Sequence, residues 1–203
     1  MGRIILFLLM TLSLHAQSIT VSGTTYQIMG DEMMSDPNTF LHQFIEDGNE
    51  RGHDLDPNIR GVFEFIGGTG STKGYSRRDY ACRGSYYIAL QQHYWDNYDP
   101  QAAFITGASN LFEQRRHLAY HELGHALLRY NHVCHGEVIQ LGRPTILVEH
   151  DIMFSARSCA PSGYSYTSAD VWENLLDRFF NTDLHTTHPC SNSRKSNTPI
   201  LDY

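Results

Sequence analysis

Apolar positions change their period along the chain, and the period predicts the element. From Ile19 to Met29 apolar and polar residues alternate loosely, as in a strand or hairpin. Phe40, Leu41, Phe44 and Ile45 then form a stripe at helical spacing, so the pattern predicts a helix over 37–52, with Asp36 placed to cap it. Gly61–Ile66 reads as a strand, followed by a glycine-rich loop at Gly67–Ser71. Tyr86–Tyr94 reads as another strand, rich in Tyr, Ile and Leu. A long helix is expected from Asn110 to about Tyr130, with Asn110 as its cap and Glu113 three residues on. Residues 131–152 read as irregular or strand-like. A last helix over 168–180 places Val171, Trp172, Leu175, Leu176 and Phe179 on one face. The fold class that follows is α+β, a small mixed β-sheet packed on two helices.

The two ends read differently. Arg3 precedes a short apolar run from Ile4 to Leu14, and Ala16 offers a small residue at a cut. That is the pattern of a signal peptide over 1–16, and the run is shorter than the roughly 20 residues a membrane span needs. The chain is therefore expected to be secreted or periplasmic, with no membrane span. Residues 17–185 are of one-domain size, and 186–203 form a polar tail rich in Ser, Thr, Asn and Pro.

Charge and cysteines narrow the class. Asp and Glu number 22 against 15 Lys and Arg, a formal net charge of −7, which argues against a nucleic-acid partner or an anionic membrane surface. Four cysteines, Cys82, Cys134, Cys159 and Cys190, make two disulfides the default after export, in any of three pairings. None lies in a CxxC pair. The Gly67–Ser71 loop lacks the Lys-Ser/Thr ending of a phosphate-binding loop.

The chemistry centres on His121-Glu122-Leu123-Gly124-His125. On a helix, residues four apart stack on one face, so two imidazoles can grip one Zn²⁺ ion. Glu122, beside the first imidazole, is placed to take a proton from the attacking water and return it to the leaving amine. The surrounding Leu118, Ala119, Leu123, Ala126, Leu127 and Leu128 predict a buried helix, where polar groups are costly unless a metal or partner satisfies them. Gly124 costs about 1 kcal/mol in a helix interior, which points to close packing there. A catalytic zinc usually has three protein ligands. His132 is the leading third candidate, after a turn at Asn131. His135, His150 and His117 are weaker, and Glu149 is the rival if the third ligand is a downstream carboxylate.

These residues resemble the metzincin clan of zinc peptidases, whose signature is HExxHxxGxxH followed by a methionine-containing turn. The similarity is greatest to small secreted or lipoprotein bacterial metallopeptidases with HELGHxxLxxxH, where the third His comes one residue later. It covers roughly residues 60–180. The resemblance implies a metzincin-like fold with a C-terminal helix and a zinc endopeptidase acting on protein or peptide substrates as a monomer. His121, His125 and His132 would be ligands and Glu122 the base. Met153 would be the turn methionine beneath them, and Tyr164 or Tyr166 a stabiliser of the oxyanion. It also implies that the strand around Tyr86–Tyr94 is the edge that pairs with substrate. Cys134 and Cys159 would flank the site and pair with each other, leaving Cys82 with Cys190. The sequence departs from the pattern at Leu128, Arg129 and Asn131: neither Leu128 nor Arg129 supplies the glycine the turn usually has, and Asn131 stands where the standard third His would be. Residues 17–60 contain no cysteine to cover the metal, but Asp31, Glu32 or Asp36 could do so.

Overall fold

A computed structural model describes residues 35–100, 108–133, 151–154 and 172–190 in full, and the backbone alone of strands within 17–28, 137–148, 164–166 and 200–201. Strands β1 (Gln17–Val21) and β2 (Thr24–Ile28) form an antiparallel hairpin. Helix α1 (Pro37–Glu50) starts where its sequence says it must. The Asp36 carboxylate accepts from the Asn38 N–H at 2.9 Å, and Pro37 occupies the first turn, where its missing N–H costs nothing. There follow β3 (Arg60–Ile66), β4 (Gly74–Ser76), a short α2 (Arg78–Ala81), β5 (Ser85–Gln91) and α3 (Gln92–Asp96). Helix α4 (Leu111–Leu123) runs on into a π-helical turn at Gly124–Leu128. After it come β6 (Glu137–Gln140), β7 (Pro144–Val148), β8 (Tyr164–Tyr166), α5 (Trp172–Phe179), a 3₁₀ turn at Thr182–Leu184 and β9 (Ile200–Leu201).

The fold is α+β. One mixed sheet has the order β3-β5-β4-β9, with β3 parallel to β5 and the other pairs antiparallel. A three-stranded mixed sheet, β6-β7-β8, lies beyond α4 in sequence. The strand expected to be the substrate edge is not an edge. β5 sits between β3 and β4, with Phe63 opposite Ile88 on one side and Tyr75 opposite Ala89 on the other. Its unbroken apolar run explains this, because Tyr86, Ile88, Ala89 and Leu90 are all buried, as in a strand covered on both faces. The outer position belongs to β3, which leaves Val62 and Phe65 exposed.

The core lies where α1, α4 and α5 meet. Phe44 of α1 has its ring 5.2 Å from Tyr120 of α4 and 5.7 Å from Phe179 of α5. Phe40, Phe44, Ile88, Leu123, Leu176 and Phe179 are fully or almost fully buried, each contributing roughly 1.5–3 kcal/mol through lost water contact. Arg51 of α1 bonds Glu173 and Asp177 of α5 at 2.9 Å each. Both carboxylates are exposed, so this pairing aligns the helices and adds at most about 1 kcal/mol. This packing holds α4 rigidly from behind while its other face meets β4 and the turn at 151–154.

Cys82 and Cys190 form a disulfide, joining the end of α2 to the segment after α5. Cys134 and Cys159, and the expected signal peptide over 1–16, lie outside the described residues. Among the described residues no helix is long and apolar enough to cross a membrane.

Candidate metal centre

Asn110 accepts from the Glu113 N–H at 3.0 Å and so begins α4, while Glu113 accepts from the N–H and hydroxyl of Ser109 at 2.7 Å each. Three turns later the helix presents His121, Glu122 and His125 in its buried section. Between Gly124 and Leu128 the backbone widens into a π turn, closed by the Arg129 N–H donating to the Gly124 carbonyl, which also accepts from the Tyr130 N–H at 3.1 Å. Such single π turns insert one residue into a helix. The chain then reverses at Arg129, which takes the left-handed conformation (φ 60°, ψ 27°) that glycine more often supplies. The missing glycine therefore does not prevent the turn. His132 is carried back to the helix.

His121, His125 and His132 each offer a nitrogen, all within 4.8 Å of one another. Their rings lie 4.7–5.2 Å apart. Nε2 of His125 and Nε2 of His132 are 3.1 Å apart. Two ligands about 2.0–2.1 Å from a tetrahedral ion sit roughly 3.3 Å apart, so this spacing is near that of a coordination edge. Each helix imidazole is oriented from behind. Nδ1–H of His121 donates to the Ile152 carbonyl at 2.5 Å, and Nδ1–H of His125 donates to the Tyr130 carbonyl at 2.6 Å. A carbonyl can only accept, so Nδ1 carries the proton in both rings and Nε2 carries the lone pair. That is the arrangement that backbone acceptors impose on ligating histidines.

The Ile152 carbonyl belongs to a tight turn at 151–154. The Asp151 side chain accepts from the Met153 N–H at 2.7 Å, and Phe154 N–H donates to the Asp151 carbonyl at 3.1 Å. Val133 N–H donates to the Met153 carbonyl at 3.0 Å, tying this turn to the residue after His132. Met153 is fully buried against α4. A Cβ on Gly124 would lie 2.7 Å from the Met153 sulfur and 2.9 Å from the Phe179 ring, so glycine there permits the close approach. Glu122 is completely buried, and its carboxylate lies against Gly74 of β4, where a Cβ would strike it. The acid is thus wedged between the helix and the sheet, one residue from a triad imidazole.

A strap behind the triad completes the centre. Asn131 N–H donates to the Thr186 carbonyl at 2.9 Å, and the Asn131 amide donates to the Thr186 hydroxyl at 2.9 Å. Tyr130 pairs with Thr187, and His188 N–H donates to the Arg129 carbonyl at 2.8 Å. Arg129 also donates to Cys190 Sγ at 2.9 Å, beside the disulfide. His188 is brought near the triad, its ring 6.5 Å from that of His125. Burial first, then Arg78, His125, His132 and Arg129 nearby, push its pKa down to about 4.

Sequence reasoning placed His121, Glu122, His125, His132 and Met153 in one neighbourhood. It missed Gly74, His188 and the carbonyls of Tyr130 and Ile152. His188 stands two residues before a cysteine in a polar segment, the one hint that this stretch is anchored. His117 is half-buried one turn before His121 and is not part of the triad. Glu149, His135 and His150 lie outside the described residues, as do Asp31 and Glu32. The side chains of Tyr164 and Tyr166 do too, though both residues lie on β8. No family model, curated protein or solved structure matches this chain, so its function has to be read from the site itself.

Proposed function

We propose that this protein is a zinc-dependent peptidase that hydrolyses peptide bonds with Glu122 as general base. The observation that carries the reading is a buried carboxylate directly beside a triad of imidazoles, two of which, His121 and His125, have their Nδ1 protons committed to backbone carbonyls. Three nitrogens fit a zinc site with one position left open for chemistry, and the donor set suits zinc better than calcium or magnesium, which prefer oxygen. Zinc held there would supply Lewis acidity, bringing the pKa of a water towards about 7 and polarising the scissile carbonyl.

The residues divide the remaining work. Glu122 accepts a proton from the attacking water and delivers it to the leaving nitrogen. Burial between α4 and β4 fixes the carboxylate and excludes bulk water from it. His121 and His125 hold their orientation through Ile152 and Tyr130. His132 reaches the site because the π turn and the left-handed Arg129 reverse the chain. The resemblance to metzincins is supported by the buried Met153 turn under α4 and by a third histidine one residue late, which the extra residue of the π turn accommodates.

The test is hydrolysis of an unfolded protein such as casein, and of an extended-peptide library, by zinc-loaded protein. The reading expects cleavage that a chelator abolishes and that Glu122→Gln reduces at least 1,000-fold with zinc still bound. A zinc-loaded wild type that cleaves nothing would favour a metal-containing binding module and would overturn the peptidase reading.

A further inference from the structure

We propose that His188 is a further group of this site and that its Nε2 hydrogen-bonds the substrate oxygen that gains negative charge during reaction. The inference rests on the peptidase reading for its substrate, but its geometry stands on separate observations.

The first is an unsatisfied atom. Nε2 of His188 is buried and has no hydrogen-bond partner among the described residues. Leaving such a group unsatisfied costs about 1–3 kcal/mol, so a fold that keeps it there invites an explanation. The second is how firmly the residue is held. Its own N–H is bonded to the Arg129 carbonyl, the neighbouring Thr187 pairs with Tyr130, and the disulfide at Cys190 follows two residues later. The ring is therefore placed by the same turn that carries His132. The third is distance. Rings within the triad are 4.7–5.2 Å apart, whereas His188 stands 6.5 Å from His125. It lies beside the set that can share one ion and is not a member of it. The fourth is charge. The guanidinium groups of Arg78 and Arg129 lie near it. They favour an oxygen acquiring negative charge, and a preorganised N–H donor beside such an oxygen is a strong source of rate.

The test uses the full chain loaded with Co²⁺, whose visible spectrum reports ligands entering the metal's open position. Acetohydroxamate, which presents a carbonyl and an anionic oxygen together, is the probe. In His188→Ala, cobalt affinity is expected to stay within threefold of wild type, acetohydroxamate affinity to fall at least tenfold, and kcat for a cleaved peptide to fall about 100-fold with KM little changed. His188→Gln, which keeps an N–H donor, is expected to recover part of both losses.

Unchanged acetohydroxamate affinity in both variants overturns the proposal, and so does loss of cobalt from His188→Ala, which would make it a ligand or a structural residue. Failure of the peptidase reading looks different: no peptide is cleaved by wild type, yet the probe still binds more weakly to His188→Ala. A wild type that binds cobalt but never the probe overturns both.

Discussion

The Tyr130 carbonyl accepts the Nδ1 proton of His125 at 2.6 Å, so the turn that delivers His132 also orients His125. Two of the three imidazoles thus depend on the backbone of residues 129–132. That backbone is held on its far side by Thr186, Thr187 and His188, a strap tethered through Cys190 to Cys82.

Replacing both Cys82 and Cys190 with serine is therefore expected to act on metal binding as well as stability. The bridged residues are 108 apart in sequence, and chain-entropy estimates for loops of this size are about 4–5 kcal/mol. Loosening the groups that orient ligands typically weakens metal binding about 10–100-fold. Competition with a chromophoric chelator, at a temperature where the variant is still folded, measures this. Unchanged metal affinity in the folded variant would show that the strap plays no part in the centre.

Gly124→Ala sets two effects against each other. Alanine is the better helix former by about 1 kcal/mol. Its methyl would collide with the Met153 sulfur and the Phe179 ring, both in a fully buried environment, and overpacking of this kind costs about 1–3 kcal/mol. The collision is expected to win, so thermal denaturation should show a lower Tm. A higher Tm would mean that Met153 and Phe179 are not packed as described.

Gly74→Ala addresses the proposed base without touching the three histidines. A Cβ at this position of β4 would strike the Glu122 carboxylate. Displacement of a catalytic group by about 1 Å can cost 100-fold, so kcat is expected to fall by about that factor with zinc affinity preserved. Equal turnover by this variant and wild type would separate Glu122 from the chemistry.

Asp47 gives a pH signature separate from the histidine triad. Burial raises its pKa above the ordinary carboxylate value, opposed by the hydrogen bond from Tyr120 and by Arg51. The folded state then holds this proton more tightly than the unfolded chain, so this group's contribution to stability falls as pH rises through its folded pKa. Asn at this position keeps an acceptor for Tyr120 and removes the charge. Asp47→Asn is expected to raise Tm at pH 7 and to flatten the dependence of Tm on pH in the mildly acidic range. A lower Tm at pH 7 would show that the ionised carboxylate is net stabilising through Arg51.

Much of this was legible in the sequence because it rests on local signals. Helix α1 begins at Asp36 and α4 at Asn110 because their side chains cap the next N–H groups, and the period of Phe40, Leu41, Phe44 and Ile45 gives the buried face. The spacing of His121 and His125 gives two members of the triad for the same reason. Strand order was less legible: the resemblance implied that the strand around Tyr86–Tyr94 is the edge of a sheet, yet β5 is central, because pairing is decided by β3 and β4, which come from elsewhere in the chain. The conformation of Arg129 was illegible too. Its side chain argues against a left-handed turn, and the contacts that stabilise it come from residues 186–190, about 60 positions away. Gly74 carries no local signal at all, since its meaning lies in what packs against it.

The central claim is that His121, His125 and His132 together hold one metal ion. Equilibrium zinc binding to the purified chain tests it most directly, with each histidine replaced in turn by alanine. The account predicts one ion per chain for wild type and an affinity at least 100-fold lower in each of the three variants, with α-helical content unchanged by circular dichroism. Full zinc affinity in His132→Ala, or stoichiometric binding that survives loss of His121 and His125, would contradict it.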